Sequence, residues 1–406
     1  MRFYDPADCS VWLGREHRRY VTIDLNWMMT APSRRPTLAA VAFVAMAVLA
    51  TSFVAAHDSG HSKRMYPLPI RPGKLTPGPS NHTDQWAVIV STSRFWHNYR
   101  HATNALEVYR VFRDSGVADS HIVLMLADDI ACEPRNVYPS TVHGTFDMKT
   151  NTMCADVEVD FSGDSVTAIN FLRVLTGRMP AGTSERQQIF PGPNSNVFIY
   201  LTGHSGAHFM KFHDYDFMTS YDLGDAVATM HRLGRYHRLL FSVDTCQAET
   251  IFTHIDAPDA ISLSSSAEYQ NSLSHPHHYG AEIGNTLVDG FAAEFFKLFF
   301  NRFGRKHNRT SAGVVVDPWN SVKVPKSVGL IDFFASLDRS LVMSDHVWSH
   351  ERDEAGMATL KADWKLRDFV GPGTSGHVLR REAPSKGRAG KLDAGGNRKQ
   401  SRWTRL

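Results

Sequence analysis

"LLFSVDTCQAET", Leu239 to Thr250, is the stretch on which the fold turns. Leu239, Leu240, Phe241 and Val243 form a short, almost wholly apolar run, as expected for a strand covered on both faces. Strands of that kind belong to parallel sheets, whose working residues lie at the carboxyl ends where the crevice opens. Cys246 stands at that end, and Ala248, Glu249 and Thr250 are placed to open a helix behind it. A thiol at a helix N-terminus is biased toward the thiolate, the form that attacks carbonyls. A buried cysteine packing as a small hydrophobe fits the same twelve residues, so the stretch alone leaves the role of Cys246 open.

A nucleophilic thiol needs a base, and "NVFIYLTGHSGAHF" repeats the same grammar: an apolar run, Val197 to Leu201, then Thr202, Gly203 and His204. Two neighbouring parallel strands ending in His204 and Cys246 would bring the two side chains together. Gly203 and Gly206 allow a sharp turn and close approach to a substrate. A loop histidine without a role is the competing reading.

Around these two stretches, strands and helices alternate. Trp86 to Val90, Ile122 to Leu126, Val197 to Leu201, Leu239 to Val243 and Ile261 to Ser264 read as strands; segments near His101 to Ser115, Val166 to Thr176, Tyr221 to Leu233 and Ile283 to Phe300 show helical spacing of apolar residues. That alternation predicts an α/β fold, a mostly parallel sheet with helices on both faces. With 406 residues, 42% of them apolar, the chain can bury one full core, and its net charge of +3 is too small to suggest nucleic acid as a partner. There is no internal repeat and no metal-type cysteine pairing.

Arg34 and Arg35 precede an apolar run from Leu38 to Ala56, which reads as a secretory signal over residues 1–56 with cleavage after Ala56; Met28 or Met29 would be a more usual start. A signal anchor is the alternative, since the run approaches the ~20 residues that cross a bilayer. Residues 57–83 read as a linker, 84–345 as the catalytic domain, and the basic, Gly-rich 346–406 as a disordered tail. Asn81-His82-Thr83 and Asn308-Arg309-Thr310 are glycosylation sequons, suited to surface loops in a secretory compartment.

"YLTGHSG" and "FSVDTCQAET", together with "VIVSTSRFWHNYRHATNALEVYR", "DSHIVLMLADDIACEPRN", "DVEVDF" and "NFLRVLTGR", resemble the family of glycosylphosphatidylinositol (GPI) transamidase catalytic subunits, relatives of legumain and more distantly of the caspases. The resemblance covers roughly Asp84 to His275. It implies a caspase-like three-layer α/β/α sandwich, and a thiol enzyme that cleaves the C-terminal signal of a proprotein and transfers the new C-terminus to the amine of a GPI glycolipid. A legumain-like endopeptidase acting by hydrolysis is the alternative, and a non-catalytic scaffold would have no need of both His204 and Cys246.

Carried onto this chain, the resemblance implies Cys246 as nucleophile, His204 as base and Asn98 as the group that orients the imidazole; an amide capping the helix near His101 is the other reading of Asn98. The backbone N–H groups of Ser205 and Cys246 are the implied oxyanion donors, although the family usually has glycine where this chain has Ser205. Ser272 and Ser274 suit a pocket for small residues, or are solvated loop serines. Asp119, Ile122, Glu158 and Asp160 match a structural calcium site, or form a surface carboxylate cluster. No cofactor is expected for the chemistry itself.

Cys9 leaves with the signal and Cys246 must stay reduced, which leaves Cys132 and Cys154 in an oxidising lumen. They can pair with each other, but the resemblance implies that Cys132 bridges to another subunit. The expected setting is the endoplasmic reticulum lumen, with attachment to the membrane through partner subunits.

Overall fold

The computed structural model describes residues 72–145, 157–303, 323–351 and 353–371. Its centre is set by three apolar runs in which every second side chain faces the same way. β1 (Asp84–Ser91) is an interior strand of the seven-stranded sheet. Ala87 and Ile89 point into one core, while Trp86, Val88 and Val90 point into a second core on the opposite face.

β2 (Ile122–Leu126) and β3 (Phe161–Ser162) extend the sheet on one side of β1. The chain then crosses to the other side. There β4 (Ser195–Thr202) lies against β1, followed outward by β8 (Arg238–Asp244), β9 (Ala260–Ser264) and the edge strand β12 (Val347–Trp348). All pairings are parallel except that of β12 with β9. The order reverses at β1 and β4, which is where an open α/β sheet forms its crevice.

Three short strands, β5 (Ser205–Gly206), β6 (Phe209–Phe212) and β7 (Asp216–Thr219), form an antiparallel ribbon directly after β4; β10 (Tyr279–Gly280) and β11 (Asn285–Thr286) form a small hairpin.

Helices cover both faces. α1 (Tyr99–Asp114) and α4 (Gly290–Phe303) supply Leu106, Val108, Phe112, Phe291, Phe296 and Phe299 to the first core. α2 (Ala168–Thr176) and α3 (Ser220–Arg232) supply Phe171, Val174, Leu223 and Val227 to the second. Thr167 caps α2 and Thr219 caps α3 through backbone N–H groups of the first turn, which places both starts where the sequence puts them within two residues. The expected α/β architecture, three layers around a mostly parallel sheet, is therefore present.

Four expectations change. The segment after Cys246 is a five-residue 3-10 turn, Ala248–Phe252, entered through Gln247 in the left-handed region, so no α-helix dipole is available to the thiol. The fourth helix begins at Gly290 rather than Ile283, because residues from 279 to 286 are taken by the β10–β11 hairpin. The packed body also starts before 84: Thr76 donates to Asp259 from both N–H (2.7 Å) and hydroxyl (2.8 Å), and Leu75 is buried.

It ends well beyond 345. α5 (Leu330–Phe334), α6 (Arg339–Val342) and α7 (Glu354–Asp363) precede a fully buried Trp364, with Phe369 and Val370 also in the core. Arg238 seals this segment, its guanidinium lying 4.7 Å from the Trp364 ring and donating to the Asp363 carbonyl at 2.9 Å. The signal region 1–56, the tail from 372, and Cys9, Cys154 and Asn308 lie outside the described residues.

Candidate active site

Residues from three strand ends meet at the crevice. β1 runs into the loop carrying Asn98, β4 into the loop carrying His204, and β8 into the loop carrying Cys246. The parallel register of β4 and β8 pairs Thr202 with Asp244, so His204 and Cys246 stand equally far beyond their strands, each two residues on. Gly203 is required between them. Its φ is 154°, and a Cβ there would come within 2.0 Å of the Thr92 hydroxyl oxygen.

Asn98 and His204 are joined by a 2.8 Å hydrogen bond between the imidazole Nε2 and the amide Oδ1. The direction of this bond follows from a second one. Asn98 Nδ2 donates to the Arg94 carbonyl at 2.7 Å, which fixes the amide so that its oxygen faces the ring. An amide oxygen only accepts, so Nε2 carries the hydrogen and Nδ1 keeps the lone pair a base needs. Asn98 is the N-cap residue of α1, yet its side chain makes no capping bond, which decides between the two readings of this residue. Desolvation, then the positive charge of Arg100, lowers the His204 pKa to about 3, so the imidazole is neutral and able to accept a proton.

Ser205 and Thr245 tie the two loops. The Ser205 hydroxyl donates to the Cys246 carbonyl, and the Thr245 hydroxyl lies 2.8 Å from Ser205 Oγ and 2.7 Å from the Gly203 carbonyl oxygen. The two backbone amides expected to serve an oxyanion thus belong to loops that are bonded to each other. Ser205 supplies one of those bonds.

Cys246 is buried. Its sulfur also lies 3.9 Å from the carbonyl oxygen of Ser272.

Comparison with known proteins follows this geometry. Residues 85–307 match the model of the Peptidase C13 family. The chain belongs to that family. Its curated relatives include proteins named GPI-anchor transamidase from Homo sapiens, 39% identical over 298 residues (70% of this chain, 74% of that one), and from Schizosaccharomyces pombe, 37% identical over 271 residues (64% and 71%). Another, from Saccharomyces cerevisiae, is 36% identical over 310 residues (72% and 74%). Among solved structures, caspase-1 from Spodoptera frugiperda aligns at a TM-score of 0.32 and 9% identity, covering 59% of this chain and 77% of that one, too distant to argue from.

Beside the dyad lies a cluster of buried, hydrogen-bonded polar groups, of which sequence reasoning named only Ser272. Asp244, two residues before Cys246, accepts from the Ser272 hydroxyl at 2.9 Å and the Tyr200 hydroxyl at 3.2 Å. Burial, then the neighbouring Asp289, raises its carboxyl to about 7. Asp289 is held by Arg100 Nε at 2.9 Å and Asn104 Nδ2 at 2.6 Å. The His101 ring packs edge-on against His204 with centroids 4.9 Å apart. The adjacency of Arg100 and His101 to Asn98, and of Asp244 to Cys246, was visible in the quoted motifs. Asp289 was not, since 43 residues separate it from Cys246.

Ser272 therefore lies in the site, half-buried and bonded to Asp244. Ser274 is one step removed, bridging in antiparallel fashion to Asp289.

The proposed calcium set fits less well. Asp119 and Glu158 are drawn together, but the guanidinium of Arg186 pairs with both, at 3.7 Å from Asp119 and in direct contact with Glu158. Asp160 accepts from the Leu124 N–H at 2.9 Å, and burial raises its carboxyl to about 7. Among the described residues no group of three His, Cys, Asp or Glu side chains is arranged to hold a metal ion, and Ile122 lies in β2 beside this arginine-neutralised cluster.

Cys132 is exposed and free, so it is not paired with Cys154, and Asn81 is exposed. Among the described residues no helix is long and apolar enough to cross a membrane.

Proposed function

We propose that this chain is the thiol catalyst of GPI-anchor attachment. The observation that carries the reading is the Asn98-oriented, neutral imidazole of His204, placed on the strand end next to that of Cys246 with the two loops bonded together. The names of the relatives favour transfer over hydrolysis.

His204 Nδ1 takes the thiol proton as Cys246 Sγ bonds to the carbonyl carbon of the attachment-site residue. The C–N bond then breaks, and the imidazolium gives its proton to the departing amine of the C-terminal signal. A thioester remains. The ethanolamine amine of the glycolipid attacks the same carbon, its proton passes to His204, and the new amide forms as the thiol is released. The backbone amides of Ser205 and Cys246 face the developing oxyanion. Ser272, bonded to Asp244 beside Cys246, and Ser274 two residues on are the short hydroxyl side chains proposed to meet a small attachment-site residue.

The setting belongs to the same proposal: an endoplasmic reticulum complex, luminal, with membrane attachment through other subunits, Cys132 bridging to one of them, and glycans at Asn81 and Asn308. The structural calcium site at Asp119, Ile122, Glu158 and Asp160 is not carried forward.

The test uses the enzyme in solubilised membranes, supplied with a reporter bearing a GPI signal and with hydrazine or hydroxylamine. The thioester should release the reporter as hydrazide or hydroxamate, and His204→Ala should abolish that product. Only a free carboxylate at every nucleophile concentration would refute transfer and identify an endopeptidase.

A further inference from the structure

The loop that presents Asn98 contains a strained residue. Phe95 has φ 76° and ψ 148°, a combination that side chains with a Cβ adopt only where the surroundings enforce it. Its ring does not explain the strain, since half of the residue is open to solvent (51%). The backbone does. Phe95 N–H donates to Asp128 Oδ2 at 2.6 Å, across the gap between the ends of β1 and β2. Asp128 is itself fixed: its other oxygen accepts from the Asp129 N–H at 3.0 Å, and the preceding Ala127 N–H bonds to the Ser91 carbonyl at 3.0 Å, continuing the β1–β2 ladder.

From Phe95 the constraint runs to the imidazole in two short steps. The Phe95 carbonyl accepts from the Asn98 N–H at 2.9 Å, and the Arg94 carbonyl accepts from Asn98 Nδ2 at 2.7 Å. Those two bonds hold the Asn98 backbone and rotate its amide so that Oδ1 meets His204 Nε2.

We propose that Asp128 is a positioning residue for the reaction: its carboxylate pins the Phe95 backbone in its strained turn, and through Arg94 and Asn98 sets the orientation of His204. The inference rests on the assignment of Cys246 and His204 as the reacting pair. Without Asp128 the turn relaxes to an ordinary conformation at Phe95, the Arg94 carbonyl swings away and the amide loses its anchor.

Three variants of the full chain, purified in its membrane complex, test this with the reporter and hydrazine. Asp128→Ala should lower kcat by about tenfold or more, toward the ~100-fold that a misplacement of about an ångström can cost, while KM changes by less than about twofold. Asp128→Asn keeps an oxygen acceptor and should stay within about threefold of the wild type. Adding Phe95→Gly to Asp128→Ala should recover most of the lost rate, because glycine adopts the turn without help.

The inference is overturned if Asp128→Ala turns over like the wild type per mole of complex, if Asp128→Asn is as slow as Asp128→Ala, or if Phe95→Gly rescues nothing. The glycine arm keeps the test decisive even where Asp128→Ala lowers abundance, since a residue needed only for folding would not be rescued in kcat by relieving one backbone angle. Cys246→Ala is run alongside: a residual product there removes the dyad assignment, a failure distinct from that of Asp128.

Discussion

Replacing Asn98 with alanine isolates what orientation of the imidazole contributes. In the wild type, Nε2–H has an amide oxygen at 2.8 Å, and the pKa of about 3 leaves the ring neutral across the physiological range. A neutral imidazole has two tautomers, and only the one with hydrogen on Nε2 leaves Nδ1 basic. Deleting the acceptor strands a buried donor, a loss of about 1–3 kcal/mol for a fully buried group. Because His204 is half-buried, water offsets part of this, and about 1–2 kcal/mol is the appropriate range. That corresponds to a factor of about 5–30 in the population of the competent tautomer. The rate of hydrazide formation by Asn98→Ala should fall by that factor or somewhat more, since the ring also gains freedom to turn.

Asn98→Asp supplies the comparison. It keeps an acceptor but adds a negative charge, which raises the His204 pKa. A base must be unprotonated to work, so this variant should slow as pH falls from about 7 toward 5, a range in which the wild-type imidazole does not titrate. The assay is initial rate against pH for the three enzymes at equal complex concentration. A rate for Asn98→Ala within threefold of wild type, with an unchanged profile, would refute the orienting role.

Two further outcomes follow from buried groups. Glu107 is buried and accepts from the N–H and hydroxyl of Thr145, and burial raises its carboxyl from 4.5 to about 7. Its folded pKa lies above the unfolded one, so the wild type loses stability as pH rises through that window, by at most about 3 kcal/mol. Glu107→Gln should therefore gain on the wild type by several degrees in melting temperature between pH 4.5 and 8, and a pH-independent difference would contradict this. For the bridge between the loops, Ser205→Ala and Thr245→Val should each lower kcat/KM, while the double variant loses less than their sum by about 1 kcal/mol; strict additivity would show that the two hydroxyls act separately.

The sheet and the dyad could be read from the chain because their signals are local. Apolar runs such as Val197 to Leu201 and Leu239 to Val243 can only be buried strands of that length, and β2 was placed to the residue. His204 and Cys246 each follow directly from such a run. The catalytic domain was bounded too tightly, however, because residues 346–371 are mostly polar. Large apolar members such as Trp348, Trp364 and Phe369 show their worth only when the rest of the core closes over them. Gly290 starts a helix, and Ile283 does not, because pairing of Tyr279 with Thr286 uses the intervening chain first.

Sequence by itself singled out the side chains proposed to carry the chemistry, since nucleophile, base and orienting amide each sit beside a strand signal or in a recognisable motif. Tertiary structure decided everything that depends on distance between remote residues. It brought Asp289 beside Asp244 and so raised a carboxyl to about 7. It set Arg186 across two of the expected calcium ligands and hung the Asn98 loop from Asp128. The physical reason is the same in each case: strand and helix periodicity are written in neighbouring residues, whereas burial, charge pairing and backbone strain exist only after segments far apart in the chain have been packed together.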